Sequence, residues 1–501
     1  MLATAGGIRI TGHDGALNHN GDELVGRDVG SNGSQRTRLS ALDAAFLSLE
    51  APHAPMHVGW AAQFAARADG SRPSFEEVRA HISSRLGRAP RYRQRLAEVP
   101  LGLGDPVWVD DPEFDVADHV LCAGHGDFQR LADEVMSTPL QHDRALWELW
   151  IAPELDDGQF GVVGKAHHCL VDGLAAVELM ALLLDPTPEP ETEIGDGEDW
   201  EPQAGPGALE LAAEAVRHQA EQAIDIAKLS LGYALDPARL VDLPGQAWRG
   251  TRALVHATSP LAPPSRLNGA MSPMRHLACH SRSLEDIKTI KRRLDTTVND
   301  VLLTATAGAL RELAQERGEP LREIKAMVPV SVEAPSERWG NRIAFLFLEL
   351  PTAEADPVWR LREIHVAMRD RKREREPEAV DAIFSAVSYA PRAVRRVASR
   401  LLASPRLSNL TVSNIPGPQV PLYLMGCEAK RAYPVVPLTD GHGISIGMTT
   451  IQDQACFGIY AQAELAKDAQ RLARGIDAEI DALLARSEQS PEVQTEAGAA
   501  P

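Results

Sequence analysis

From Asp185 to Pro202 the chain carries eight acidic residues, four prolines and no lysine or arginine. A stretch of that kind repels itself and has little apolar surface to bury, so it reads as a solvated linker and divides the sequence. A helical pattern (Leu209, Ala213, Val216, Ala220, Ile224, Ala227, Leu231) and a second proline-rich passage, Pro260 to Pro273, follow it. The domain boundary is therefore expected between Asp185 and Pro273. Length agrees, because 501 residues exceed what one hydrophobic core ordinarily organises. With 44% hydrophobic and 24% charged residues, both halves have the material for a packed core.

The two halves share a rhythm of strands and helices. In the first, Ser40 with Asp43, and Ser74 with Glu77, have capping-box spacing. Met56 to Ala65 reads as a strand, Ser74 to Leu86 and Asp127 to Ser137 as helices, and Leu146 to Ile151 as a strand. Gln159 to His168 reads as a buried strand, and Leu174 to Leu184 as an apolar helix that Asp172 could cap. The second half offers strands at His276 to Ser281, Ala326 to Val332, Asn341 to Leu350, Leu407 to Val412, Gly443 to Ile451 and Cys456 to Ala461. Its predicted helices run from Ser283 to Leu294, Thr297 to Glu316 and Asp468 to Ala485. No fixed short repeat appears, which favours an α/β or α+β two-lobed architecture over a solenoid.

Charge and composition exclude several partners. The net charge of −19 repels polyphosphates, so nucleic acid is not expected as a partner. No apolar run reaches the ~18 residues that a membrane-crossing helix needs. The five cysteines have no paired spacing and suit reduced thiols in a cytosol. Met1 to Gln35 lacks an apolar signal region and reads as a flexible extension.

The chemistry concentrates in His167-His168-Cys169-Leu170-Val171-Asp172-Gly173 at the end of a strand. Adjacent strand side chains point to opposite faces, so one imidazole faces a cleft and the other faces packing. A neutral imidazole can take a proton from a hydroxyl, a role that contributes roughly 10²–10⁴ in rate. Gly173 permits a tight turn and Asp172 can brace it. Two adjacent histidines alone are more often structural. A zinc site of His167, His168 and Asp172 is strained by the opposed side chains, and no further His or Cys cluster completes it. Cys169 lacks the base and orienting group of a cysteine nucleophile.

With these residues in view, the chain resembles the bacterial wax ester synthase/diacylglycerol acyltransferase family, within the CoA-dependent acyltransferases that share an HHxxxDG motif. The likeness spans nearly all of Leu39 to Ala485. It rests on Leu39-Ser-Ala-Leu-Asp-Ala-Ala-Phe46, Leu146-Trp147, His167 to Gly173, Val298-Asn299-Asp300-Val301 and Ser413-Asn414-Ile415-Pro416-Gly417-Pro418. The chain departs from the family in having Ala145 where Pro is common.

The resemblance implies a two-lobed, chloramphenicol-acetyltransferase-like α/β sandwich. The expected parts are an extension (1–38), a first lobe with the motif (39–184), a linker (185–273), a second lobe (274–486) and a disordered tail (487–501). It implies transfer of a long-chain acyl group from acyl-CoA to the hydroxyl of diacylglycerol, giving triacylglycerol without an acyl-enzyme. Long-chain alcohol as acceptor would give wax ester. A carrier-protein-bound donor and a non-enzymatic lipid-binding or droplet-coating role are the alternatives. His168 would be the general base, His167 would shape the site, and Asp172 would hold the loop, with Arg93 or Arg95 as its partner.

Asn299, Asp300 and Asn414 would contribute to substrate binding, although Thr297 to Asp300 is equally a capping box and Ser413 to Pro418 a strand exit into a rigid turn. No metal or cofactor is implied, acyl-CoA being a substrate. The expected location is cytoplasmic, with peripheral contact at a membrane or lipid droplet. Pro391 to Ser408 supplies a candidate contact: five arginines (Arg392, Arg395, Arg396, Arg400, Arg406), no acid, and Val394, Val397, Leu401 and Leu402 on the complementary side of a helix. The alternatives are a helix packed on its own lobe with solvated arginines, and a site for the phosphates of CoA.

Overall fold

The computed structural model describes residues 37–171, 183–189, 200–235, 258–332, 342–374, 392–418 and 420–489, with isolated positions between them. The first sheet has the order β12 (Tyr423–Leu424), β13 (Cys427–Val435), β2 (His57–Phe64), β7 (Phe160–His167), β6 (Trp147–Ala152) and β5 (Val120–Cys122). All neighbours in it are antiparallel except β5 and β6. Helices α1 (Ala41–Leu49), α2 (Phe75–Arg85) and α3 (Phe128–Ser137) belong to this lobe. A small sheet joins β1 (Thr37–Arg38), β4 (Val107–Asp110) and β3 (Gln94–Ala97). Leu211 of α4 (Ala208–Leu235) packs on Val107 and Val109 of β4.

The second sheet has the order β10 (Arg342–Leu350), β9 (Ile324–Val332), β11 (Leu410–Ile415), β14 (Ile444–Ile451), β15 (Gln454–Gln462) and β8 (Arg275–Ser283). Its helices are α5 (Leu284–Leu294), α6 (Val298–Glu316), α7 (Pro357–Arg373), α8 (Arg392–Leu402) and α9 (Ala466–Gln489). The capping boxes at Ser40, Ser74 and Thr297 all form, each side chain accepting from the backbone three residues on. The predicted helix at Leu174 to Leu184 lies almost wholly outside the described residues.

Two expectations are corrected. The second lobe does not hold all of 274–486, because β12 and β13 extend the first sheet. The segment reads poorly as a strand: Lys430, Arg431 and Pro434 interrupt its pattern. Pro434 is tolerated because β12 pairs only with Cys427 and Glu428, so no strand ladder on that side needs an N–H from Pro434. The acidic linker, moreover, does not begin at Asp185. That carboxylate is buried against Arg85 at 2.6 Å, and its backbone exchanges two 2.8 Å hydrogen bonds with Tyr423.

These strands join the lobes. Pro434 lies so close to Gly458 that any side chain there would collide with its carbonyl, and a Cβ on Gly447 would sit 2.9 Å from Val436. Between the two lobe cores lies a third cluster, in which Val135, Met136 and Val163 meet Leu277, Tyr433, Val435 and Tyr460. Polar contacts from α3 add direction: Asp133 accepts from Leu277 N–H at 3.0 Å and pairs with His276 at 2.8 Å. Burial therefore makes the lobes one folding unit.

Candidate active site

Strand β7 is buried along its whole length, and its last residue, His167, is followed by a turn that begins at His168. The backbone holds this turn from both sides: His167 N–H donates to Leu146 and His168 N–H to Met56, at 3.0 and 2.8 Å. Trp147, in the Leu-Trp pair, supports the strand next door. It is buried, donates its indole N–H to the Tyr92 carbonyl at 2.8 Å, and stacks on His119. Truncating a Trp packed in this way costs about 3–5 kcal/mol. Ala145, where the resemblance leads to an expected Pro, is buried and accepts a hydrogen bond from Trp147 N–H.

The two imidazoles differ as their alternation requires. His167 is fully buried, and its Nδ1 accepts from Cys169 N–H at 3.1 Å, so its proton sits on Nε2. That nitrogen faces Glu50, 3.7 Å away. Glu50 also takes a 2.9 Å contact from His142. Burial pushes the Glu50 carboxyl up, but the His142 hydrogen bond and the positive potential of the two histidines outweigh it and leave it below its ordinary value. The same hydrogen bond raises His142. Burial brings His167 down to about 4.

His168, by contrast, is half-buried. Phe46 of α1 covers one face, with ring centroids 3.7 Å apart and planes 13° from parallel. Its Nδ1 has no well-formed partner. Burial brings His168 to about 4, partly offset by a hydrogen bond to its own backbone. The result is an imidazole that is neutral at physiological pH and stacked on Phe46. Burial also drives the Cys169 thiol far up, so it stays protonated and unreactive.

Of the other expected residues, Asp172 and Gly173 lie outside the described residues. Of the candidate arginines, Arg93 lies over the Trp200 ring at 5.0 Å, and Arg95 is 3.7 Å from Asp111. Asp300 accepts from Thr297 N–H at 2.9 Å and pairs with His365 of α7 at 2.8 Å. Asn299 and Asn414 are half-buried, at the start of α6 and near the end of β11. Among the described residues neither has a hydrogen bond to the histidine turn. After β11 the chain crosses β14 at Gly417, where a Cβ would collide with the Thr450 carbonyl, so only glycine fits.

Sequence reasoning missed Phe46 as the stacking partner, and Glu50 and His142 altogether. Phe46 and Glu50 are four apart, which is a helical spacing, but nothing in the sequence aims them at His168 and His167, more than 100 positions away. Among the described residues, no group of three or more His, Cys, Asp or Glu side chains could hold a metal ion.

Comparison with known proteins bears on the same residues. Residues 39–302 match the wax ester synthase/diacylglycerol acyltransferase catalytic domain, and 339–484 match the C-terminal domain of that family. A Mycobacterium tuberculosis protein named as a diacylglycerol O-acyltransferase, tgs1, is 30% identical over 90% of this chain and 96% of its own. Another protein so named from that species is 29% identical over 91% of both chains. The fold matches the wax ester synthase/diacylglycerol acyltransferase of Marinobacter aquaeolei VT8, with TM-score 0.60 and 24% identity over 90% of this chain and all of that one. It also matches the first condensation domain of the calcium-dependent antibiotic synthetase, with TM-score 0.54 and 16% identity over 93% of this chain and all of that one. The expected two-lobed acyltransferase fold is therefore present, and its histidine turn lies within the stretch matched by the catalytic domain. The chain belongs to the wax ester synthase/diacylglycerol acyltransferase family and is an acyltransferase.

Proposed function

We propose that the protein transfers a long-chain acyl group from acyl-CoA to the free hydroxyl of diacylglycerol, giving triacylglycerol and CoA at a membrane or droplet surface. His168 acts as general base. Its Nε2 takes the hydroxyl proton as the acceptor oxygen bonds to the thioester carbonyl carbon; the C–S bond then breaks and the proton passes to the departing thiolate. The thioester is already activated, so proton removal and the positioning of two substrates carry the acceleration without an acyl-enzyme or a cofactor.

The observation that supports this most directly is the state of His168: neutral, half-buried at the end of β7, and held against the Phe46 ring. His167 shapes the turn from beneath. Asp172 and Gly173 keep their expected loop role, Asn299 and Asn414 are proposed to contact substrate, and Asp300 to act through the start of α6. A long-chain alcohol would react by the same steps to give wax ester.

The test is labelled acyl-CoA offered diacylglycerol, hexadecanol and water together, with products separated by thin-layer chromatography. Labelled triacylglycerol as the main product is expected. Label appearing only as free fatty acid would reject the transfer reading, and wax ester as the main product would change the acceptor.

A further inference from the structure

Helix α8 is built inside out. Soluble helices bury their apolar stripe and expose their charges. Here Val394, Val397 and Leu401, spaced i, i+3, i+7 on one stripe, are 53%, 58% and 64% exposed. The opposite stripe, Arg392, Arg395 and Ser399, faces the protein. Arg395 pairs with Asp105, Arg392 lies 3.4 Å from the same carboxylate and donates to the Gly104 carbonyl at 3.1 Å, and Ser399 is buried. The expectation of apolar packing with solvated arginines is corrected for Val394, Val397 and Leu401 and for Arg392 and Arg395, whereas Arg396, Arg400 and Arg406 are exposed as expected and Leu402 packs near Phe347 and Leu407.

The neighbouring turn repeats the anomaly. Leu101 is 95% exposed in a left-handed conformation (φ 58°), beside Gly102, which the Arg392 guanidinium approaches.

We propose that Val394, Val397 and Leu401 form the surface by which this protein enters the acyl-chain boundary of an anionic bilayer, with Arg396 and Arg400 as its headgroup contacts. Both arginines are exposed on the flank of the stripe. The whole chain, at −19, is repelled by anionic lipid. Screening over ~8–10 Å leaves the contact to local charge, and this helix contains no acid. A second copy is a poorer occupant, because a two-fold contact through the stripe would oppose arginine to arginine. Helix α8 packs on α1, whose Phe46 covers His168, so the bilayer would lie one helix from the imidazole. The surface rests on the reading that the acceptor is a lipid.

The test is flotation of the full chain with vesicles of phosphatidylcholine, alone or mixed with phosphatidylglycerol. The parent floats with the mixed vesicles. A Val394→Ser/Val397→Ser/Leu401→Ser variant floats about tenfold less, and Arg396→Glu/Arg400→Glu abolishes the preference for anionic lipid. Both variants keep the parent's thermal melt and its acyl transfer to butanol. Flotation of the triple variant equal to the parent's would remove the surface; so would a parent dimer that the triple variant converts to monomer. Vesicle binding through these residues without transfer to any alcohol would sink the enzymatic reading and leave the surface standing. Transfer without flotation would do the reverse.

Discussion

The turn that ends β7 and the turn that begins α6 look alike in sequence, each setting a polar pair beside an apolar helix, yet they use their polar atoms differently. At α6 the Asp300 carboxylate is buried and has two internal partners, Thr297 N–H and His365. At β7 the Nδ1 of His167 accepts from Cys169 N–H and its Nε2 lies 3.7 Å from Glu50, whereas the Nδ1 of His168 has no well-formed hydrogen-bond partner among the described residues. A motif side chain satisfied by its own neighbours holds the fold. One left over, and rigidly aimed, is available to a reactant.

The largest effect should separate the two turns outright. His168→Ala is expected to lower the transfer rate by roughly 10²–10⁴ while the protein remains folded, as judged by its melt. Asp300→Ala should do the opposite. Leaving Thr297 N–H and His365 without their acceptor costs about 3 kcal/mol, seen as a lower Tm, with turnover per folded molecule changed only a few-fold. If Asp300→Ala instead abolished turnover at an unchanged Tm, the contrast would fail and the carboxylate would belong with the reacting groups.

Much of this was readable beforehand, for local reasons. Capping boxes and β7 depend on neighbours three or fewer residues apart, so Ser40, Ser74 and Thr297 declare themselves. The histidine turn declares itself through its density of unusual residues. Strand β13 does not: its place in the first sheet is set by pairing with β2, more than 300 residues earlier, and Lys430, Arg431 and Pro434 hide the pattern. Neither the Glu50–His142–His167 cluster nor the inverted face of α8 is local, since each depends on which distant element supplies a counter-charge, here Asp105 for Arg395.

Acid sharpens the comparison next. Burial holds His81, His167 and His168 near 4, whereas an unfolded chain protonates them near 6.5. Below pH 6.5 the unfolded state binds more protons, so stability is full above that pH and falls as the pH drops toward 4. For a wholly buried ring such as His167 the change is about 3 kcal/mol. A Tm that holds above pH 6.5 and declines below it is expected; a flat Tm from pH 7 to 4.5 would show that these rings are not held neutral. The acid limb of the transfer rate should likewise lie below 6.5.

The smallest effect concerns how the His168 imidazole is aimed. Glu50 ends α1, the helix that lays Phe46 on His168, and ties it to His142 and His167. Glu50→Gln keeps the size and can still accept from His142 but removes the charge, at a cost of about 1 kcal/mol or roughly fivefold in kcat. KM for acyl-CoA should stay put, because the change acts through ring orientation. The pair stabilises above the ordinary Glu value of 4.5, since the Glu50 pKa is lowered, and below the ordinary His value of 6.5, since that of His142 is raised. The variant's deficit in Tm should therefore be widest between those values and shrink as rising pH discharges His142. A deficit independent of pH would mean that α1 is seated by packing alone, and that Phe46 needs no charge to keep it on the ring.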